Sequence, residues 1–358
     1  MNAVANAKLS AVIQQGEILA TQGMAKLEEE WGLRRDFIVR PDSVDVGFKT
    51  INNRPSMTVI LGPDEYELTP HSRGQLLSRA GIPVQFADKL VDYELQDLLK
   101  TNINRLLNTT SKDGLMVRAV KHQVKGIMSS SYKRIDSSPL FYTFIEKARS
   151  MGLVPYQGSV SDTRAFISFL KPEIFEINGD YLVFGLELRS SDYGNGAFEM
   201  NVVVLRLLCQ NGLIGFDLLR KIHIGKRFDS AEFEKEGSLI VLSEKTLALD
   251  IDTVRSGLTD VMAGTDTYIK ALAEGVRNKA NDEVNIKTAV AALRKMGIKK
   301  AVAEEIGNLY ENQAMPIEVL PPMPGKWRLA NAISFLAHKE TGDAQKDLQD
   351  VAFKFLAA

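Results

Sequence analysis

The sequence predicts an α+β fold, in which a central antiparallel sheet with a long hairpin and a packing helix is flanked by N- and C-terminal α-helical lobes. Three observations predict this class. Helix-like patterns dominate both ends of the chain, strand-like runs fill its centre, and one apolar helical stripe interrupts those runs. With 358 residues the chain is long enough for about two domains, at roughly 150 residues each.

Residues 1–113 form a region that we predict to be mixed and mostly helical. A helix-like run extends from Leu9 to Trp31. Two short strand candidates, Ser43–Lys49 and Ser56–Leu61, lie on either side of the turn signal Asn52-Asn53. Further helices are predicted at Pro70–Ala80, Val84–Val91 and Tyr93–Leu107.

Residues 114–242 form the predicted β-rich centre, which opens with the strand-rich stretch Leu115–Ser129. A helix follows, with Ser138 as a plausible N-cap, Pro139 in its first turn and Gly152 at its end. Its apolar residues share one stripe, so that face must pack on a sheet. The remaining strands are predicted at Val160–Leu170 and in a long hairpin, Tyr181–Arg189 and Ala197–Leu208, joined by the loop Ser190–Gly196.

Residues 243–358 form the predicted C-terminal helical region. Its segments are one long amphipathic run or two over Ser243–Asn278, a helix pair at Glu283–Met296 and Lys299–Asn312, a rigid connector at Leu320–Gly325, and a last helical stretch from Trp327 to Phe355.

Composition places the chain in a reducing compartment, and we expect the cytoplasm of the host cell. Cys209 is the one cysteine, so no intrachain disulfide forms. The N-terminus lacks the pattern of a signal peptide, and no stretch reaches the roughly 18 apolar residues of a membrane span.

The net charge of −1 argues against a protein that coats duplex DNA. The centre is nevertheless basic, because Leu115–Arg227 holds fifteen Lys and Arg against ten Asp and Glu.

The sequence identifies no catalytic residue and predicts no cofactor and no metal ligand, which leans against an enzyme without deciding the question. The four histidines, His71, His122, His223 and His338, are too far apart to form a zinc motif. Cys209 follows an apolar strand, where a thiol usually behaves as a small buried hydrophobe. No nucleophile elbow or glycine-rich phosphate loop is present.

Two basic clusters remain as candidate binding sites. Between Gly114 and Ile135 there are five cations and no acid, and a second acid-free cluster follows the hairpin. On a strand, Lys121 and Lys125 would point to the same face. Single-strand binding uses cations that follow the phosphates and aromatic rings that stack on bases. The predicted nucleic-acid-binding residues are Lys121, Lys125, Tyr132, Lys133, Arg134, Arg220, Lys221 and Lys226.

The structural alternative is that these cations are solvated surface charges balanced by acids from the helical flanks. Arg118 and Arg206 lie within apolar strands, so each could instead be a paired core arginine.

Four segments carry a resemblance to a known family. They are Leu68–Pro70 with Gln75–Arg79, Gly81–Pro83 and Asn102–Asn104; Arg118–Val120 with Ser129 and Tyr132–Asp136; Leu205–Leu213; and Trp327 with Asn331–Ser334. Together they resemble the phage- and plasmid-borne proteins grouped as domain of unknown function 932, over roughly residues 65 to 340. The sequence departs from the family's pattern at two places. Tyr132 is followed by Lys133-Arg134, where relatives vary, and Ile333-Ser334 replaces a more usual Val-Thr.

The resemblance implies a mobile-element context but no activity. Non-structural phage proteins of this size often serve replication or recombination, and the predicted sheet is loosely similar to annealing proteins of the RecT and Erf type. We therefore predict a phage-encoded, homo-oligomeric protein that binds single-stranded nucleic acid, with DNA annealing or recombination as its process. One alternative is an enzyme with its site near Asp136, Asp162, Arg164, Asn211 and His122. The other is an interaction protein that targets a host factor or defence system.

Overall fold

The computed structural model confirms the α+β class, with helices at both ends of the chain and antiparallel pairing in the centre. It describes residues 3–51, 53–110, 114–130, 136–177, 180–196, 198–207, 211–221, 239–241, 255–256, 258–260, 262–316, 319–340 and 343–357, with the backbone alone for 211–221 and 239–241. The predicted N-terminal helix is α1 (Ala3–Gly32).

The first sheet, sheet A, combines strands from the N-terminal region with the start of the centre. Its strands lie in the order β12-β1-β5-β6-β4-β3-β2, and the β4–β6 pair is parallel. They are β1 (Arg34–Val39), β2 (Asp45–Ile51), β3 (Arg54–Leu61), β4 (Asp64–Leu68), β5 (Leu115–Val120), β6 (Gln123–Ser129) and β12 (Leu239–Val241). The predicted strands flanking Asn52-Asn53 are β2 and β3. The predicted stretch Leu115–Ser129 is two strands, β5 and β6.

Three helices between β4 and β5 cover one face of sheet A. They are α2 (Pro70–Arg79), α3 (Val84–Asp92) and α4 (Gln96–Thr110), close to their predicted bounds. Thr69 caps α2 by accepting a hydrogen bond from the backbone N–H of Ser72. Leu76, Leu99 and Ile103 are buried in a core shared with the sheet, which fixes α2 beside β6.

The second sheet, sheet B, contains the predicted long hairpin. Its strands lie in the order β11-β10-β9-β8-β7, all antiparallel. They are β7 (Val154–Val160), β8 (Ala165–Ile177), β9 (Asp180–Ser190), β10 (Phe198–Arg206) and β11 (Asn211–Lys221). The hairpin is β9 and β10, and the loop that joins them reaches sheet A.

One face of sheet B packs against the predicted central helix, α5 (Ser137–Ser150), and against C-terminal helices. The rings of Phe144 and Phe169 meet edge to face at 5.6 Å between centroids. The C-terminal helices are α6 (Thr265–Lys279), α7 (Ile286–Lys295), α8 (Lys300–Glu311), α9 (Lys326–Ala337) and α10 (Asp343–Ala357). Among the helices described, none is both long and apolar enough to cross a membrane.

Helix α1 packs against the edge strand β7 at the distance of touching backbones. A β-carbon at Gly16 would overlap the carbonyl oxygen of Pro155, and one at Gly23 would lie 3.0 Å from the carbonyl carbon of Gly158. Glycine at these positions therefore allows the close approach. As a result, the C-terminal end of α1, with Glu29 and Glu30, is held beside the turn between β5 and β6.

Candidate functional site

The loop between β9 and β10, residues Ser191–Gly196, ties sheet B to sheet A; we call it the hairpin loop. The carbonyl oxygen of Tyr193 accepts hydrogen bonds from Gln75 Nε2 at 2.9 Å and His71 Nε2 at 3.0 Å. A β-carbon at Gly126 of β6 would lie 2.9 Å from the same oxygen, so glycine is needed there. The hairpin loop is thus clamped between α2 and β6.

A buried ionic cluster lies beneath the hairpin loop. Arg118 of β5 is 0% exposed and donates from Nε and Nη2 to the two carboxylate oxygens of Asp36, at 2.8 and 2.9 Å. Its Nη2 lies 3.3 Å from Asp136 Oδ1, and Arg34 Nη2 donates to Asp136 Oδ2 at 2.7 Å. Arg118 Nη1 also donates to the backbone oxygen of Asp192. Arg118 is therefore a paired core arginine, and it positions the hairpin loop.

Protonation in this cluster is set by burial and by neighbouring charges. Burial opposes the charge of Arg118, but Asp36 and Asp136 outweigh it and hold the arginine pKa well above its usual value. Burial raises the pKa of the Asp192 carboxyl; Arg118 lowers it, Asp136 raises it further, and the net shift is upward. Asp192 Oδ1 accepts a hydrogen bond from Ser137 Oγ at 2.5 Å.

Arg206, the other arginine within an apolar strand, is also paired in the core. Its Nε donates to Asp180 Oδ1 at 2.7 Å, and Trp327 Nε1 donates to Asp180 Oδ2 at 2.6 Å. This contact joins β9 and β10 to α9. Arg206 thus has a structural role in the described part of the chain.

Lys121 and Lys125 lie in one groove of about 520 Å³, which we call the mixed-charge groove. Its charged lining residues are Lys26, Glu29, Glu30, Lys49, Glu65, Glu67, Lys121 and Lys125. Lys121 Nζ is 2.7 Å from Glu29 Oε1, and Lys125 Nζ is 2.6 Å from Asp162 Oδ1 and 4.0 Å from Glu30. The hydrogen bond from Lys121 lowers the pKa of Glu29, and the one from Lys125 lowers that of Asp162. Both cations are therefore held by carboxylates.

The expected strand geometry of these two lysines is wrong, although they do share a groove. Lys121 lies in the turn between β5 and β6 with a φ of 54°. Lys125 is the extra residue of a β-bulge between Val124 and Gly126. The alternation of side chains along a regular strand therefore does not determine which way Lys121 and Lys125 point.

The other predicted binding residues are not described with their side chains. Tyr132, Lys133, Arg134 and Lys226 lie outside the described residues, as do Cys209 and His223. Arg220 and Lys221 are on β11, where their backbones pair with Glu199 and Phe198. These residues stay predictions.

A second groove, which sequence reasoning missed, runs between α2, the end of β6 and the hairpin loop; we call it the α2 groove. Its volume is about 790 Å³. Its lining residues are Pro70, His71, Gly74, Gln75, Ser78, Arg79, Ile127, Met128, Ser129, Gly194 and Gly196. No carboxylate is among these described residues. Pro70–Arg79 has the pattern of an ordinary capped helix, and the one local signal of this groove is the glycine in its middle.

Side chains of α2 cover the free edge of β6 in this groove. Gln75 Oε1 accepts a hydrogen bond from the backbone N–H of Ile127 at 2.7 Å, and Arg79 donates from Nε and Nη2 to the backbone oxygen of Ile127 at 3.4 Å. Burial lowers the pKa of the Arg79 guanidinium. Gln75 and Arg79 therefore satisfy the backbone N–H and the backbone oxygen of Ile127 at this edge of the strand.

The residues of the enzyme alternative are distributed over different environments. Asp136 is enclosed in the buried ionic cluster, and Asp162 is paired with Lys125. Arg164 donates to the backbone oxygen of Asn195, and His122 lines the mixed-charge groove. The side chain of Asn211 lies outside the description. Among the described residues of this set, no nucleophile–base pair forms.

Comparison with protein-family models, curated proteins and solved structures found no match to this chain. The resemblance to domain of unknown function 932 therefore stays a prediction.

Proposed function

We propose that the protein binds single-stranded nucleic acid along the α2 groove, in the cytoplasm of a phage-infected cell. Homo-oligomerisation and a role in strand annealing are parts of the same proposal. The observation that carries it is a groove of about 790 Å³ whose described lining holds Arg79 and His71 but no carboxylate. A phosphate chain can approach such a surface without repulsion from fixed anions.

The position of the groove along the chain supports the same conclusion. It ends at Ser129, and Tyr132, Lys133 and Arg134 follow within five residues. Lys133 and Arg134 are thus four and five residues along the chain from the last lining residue of the groove. Single-strand binding requires cations that contact phosphates and an aromatic ring that stacks on a base, and this segment supplies both.

The cations of the mixed-charge groove support the proposal less. Lys121 and Lys125 each contact a carboxylate, so a phosphate would have to displace Glu29 or Asp162 first. The net charge of −1 also disfavours binding to duplex DNA by bulk electrostatics. We therefore assign the main contact to the α2 groove and to the segment that follows it.

The test is a salt titration with fluorescein-labelled oligo-dT and a duplex of the same length, followed by fluorescence anisotropy. We expect tighter binding to the single strand and a steep loss of affinity with salt. The double variant K133A/R134A should bind about tenfold more weakly and lower the salt slope by about 1 to 2.

The matched control is K299A/K300A, which also removes two adjacent cations but from the start of α8. It should bind as the wild type does. Absence of wild-type binding at low salt would contradict the proposal, and so would equal losses in the two double variants.

A further inference from the structure

Gly74 is a glycine in the middle of α2 for which the fold gives no reason. Among the described residues, a β-carbon at this position would meet no atom within 4 Å, although Gly74 lines the α2 groove. Gly194 on the opposite side differs, because its φ is +77° and a β-carbon there would lie 2.8 Å from Met128 Cγ. Gly194 is therefore required by the backbone and by packing, whereas Gly74 is not.

A glycine inside a helix destabilises it relative to alanine, because the unfolded chain loses more conformational freedom on folding. One common use of such a residue is to let a ligand approach the backbone closely. Gly74 stands between the two basic residues of the groove, three positions after His71 and five before Arg79. A phosphate chain bound to both side chains would pass over this part of the helix.

We infer that the bound strand crosses α2 at Gly74, with its sugar–phosphate backbone in van der Waals contact with the helix backbone. This inference rests on the proposed function and adds the path of the ligand. Gly74 is then a positioning residue, since a methyl group at this point would fill space that the ligand needs. The described part of the chain leaves room for that methyl group.

The variant G74A separates a role in binding from a role in folding. We expect it to raise the melting temperature by about 1–2 °C, as alanine favours the helix. Its affinity for oligo-dT should nevertheless fall about tenfold, as expected for overpacking by one methyl group. Affinity is measured by anisotropy and melting by scanning fluorimetry on the full chain.

The matched control is G275A. Gly275 is also inside a helix, α6, and a β-carbon there would meet no atom of the described residues within 4 Å, but Gly275 is not among the lining residues of the α2 groove. We expect G275A to raise the melting temperature and to bind as the wild type does. If the wild type binds and G74A binds equally well, or if G74A melts at a lower temperature, the inference is overturned and the proposed function is not. If the wild type binds no single strand, both are overturned.

Discussion

The mixed-charge groove and the α2 groove use neighbouring parts of the same strand, β6, but differ in what surrounds their cations. Gln123 and Lys125 line the first, and Ile127–Ser129 line the second. In the first groove Lys121 and Lys125 face carboxylates supplied by α1 and by Asp162. The described lining of the second contains no carboxylate. The number of cations in a segment therefore does not tell how available they are to a ligand.

The two grooves also differ in how firmly their walls are fixed. In the mixed-charge groove the Lys125 side chain is only 10% exposed beside Asp162, but the Lys121–Glu29 pair is exposed, with 60% of the Lys121 side chain and 58% of Glu29 open to solvent. Such pairs contribute little to stability and are screened by salt. The α2 groove has the hairpin loop as one wall, and that loop is held by the buried ionic cluster. We expect mutations to affect the two grooves unequally.

The largest effect is expected from R118M, which removes the central cation of the buried cluster. Asp36, Asp136 and Asp192 would then share one arginine, Arg34, in a buried site. Loss of one partner from a buried ion pair typically costs about 3–5 kcal/mol. Urea denaturation should show this loss, and binding to the α2 groove should weaken with it, because Arg118 also holds the backbone of Asp192.

D192N is the contrasting variant, since it removes one of three carboxylates that face two arginines. The pKa of the Asp192 carboxyl is higher in the folded protein than in the unfolded chain, where it is about 4. The protonated carboxyl therefore stabilises the fold below about pH 4, and this stabilisation is lost as the pH rises through the pKa of the folded state. The free energy of unfolding of D192N should therefore improve relative to wild type as the pH rises above about 4. A loss as large as that of R118M at neutral pH would show that the carboxylate is needed as an anion.

Sequence patterns predicted the elements whose signals are local. The hairpin of β9 and β10, helix α5 and the helices α2 to α4 follow from periodicity, caps and turn residues within each segment. Strand β1 was missed because it begins Arg34-Arg35-Asp36, which reads as a basic surface cluster. Arg34 and Asp36 are paired with residues far along the chain. Arg34 contacts Asp136, 102 residues away, and Asp36 contacts Arg118, 82 residues away.

The contacts of the candidate site could not be predicted either, because they also join residues that are far apart in the sequence. Lys121 occupies a left-handed turn position that usually carries Gly, Asn or Asp, so no turn was predicted there. The carboxylates that hold the two lysines come from α1, 92 residues before Lys121, and from Asp162, 37 residues after Lys125. The α2 groove forms only when the hairpin loop meets α2, which local patterns do not report.

An intermediate effect is expected when the mixed-charge groove is made to resemble the α2 groove. In E29Q/D162N the direct partners of Lys121 and Lys125 lose their charge but keep their shape. We expect affinity for oligo-dT to rise about threefold to tenfold, with a salt slope steeper by about 1, mainly because the exposed ammonium of Lys121 becomes available to phosphates.

The matched control is E17Q/D266N, which neutralises two equally exposed carboxylates that pair with Arg149 and Lys171. Its affinity should change less than that of E29Q/D162N. Equal gains in both variants would mean that net charge alone, and not the groove, controls binding.

The smallest effect is expected from K121A, although Lys121 is one of the residues that the sequence predicts to bind nucleic acid. Alanine keeps a β-carbon at the same positive φ, so the backbone strain of the turn is unchanged and the ammonium alone is removed. Because that ammonium is already held by Glu29 on the surface, we expect the melting temperature to stay within about 1 °C and the affinity within about twofold. Anisotropy under the same salt conditions as for K133A/R134A gives the comparison. If K121A alone weakens binding as much as that double variant does, the strand lies in the mixed-charge groove, and a phosphate displaces Glu29 more easily than the geometry of the pair indicates.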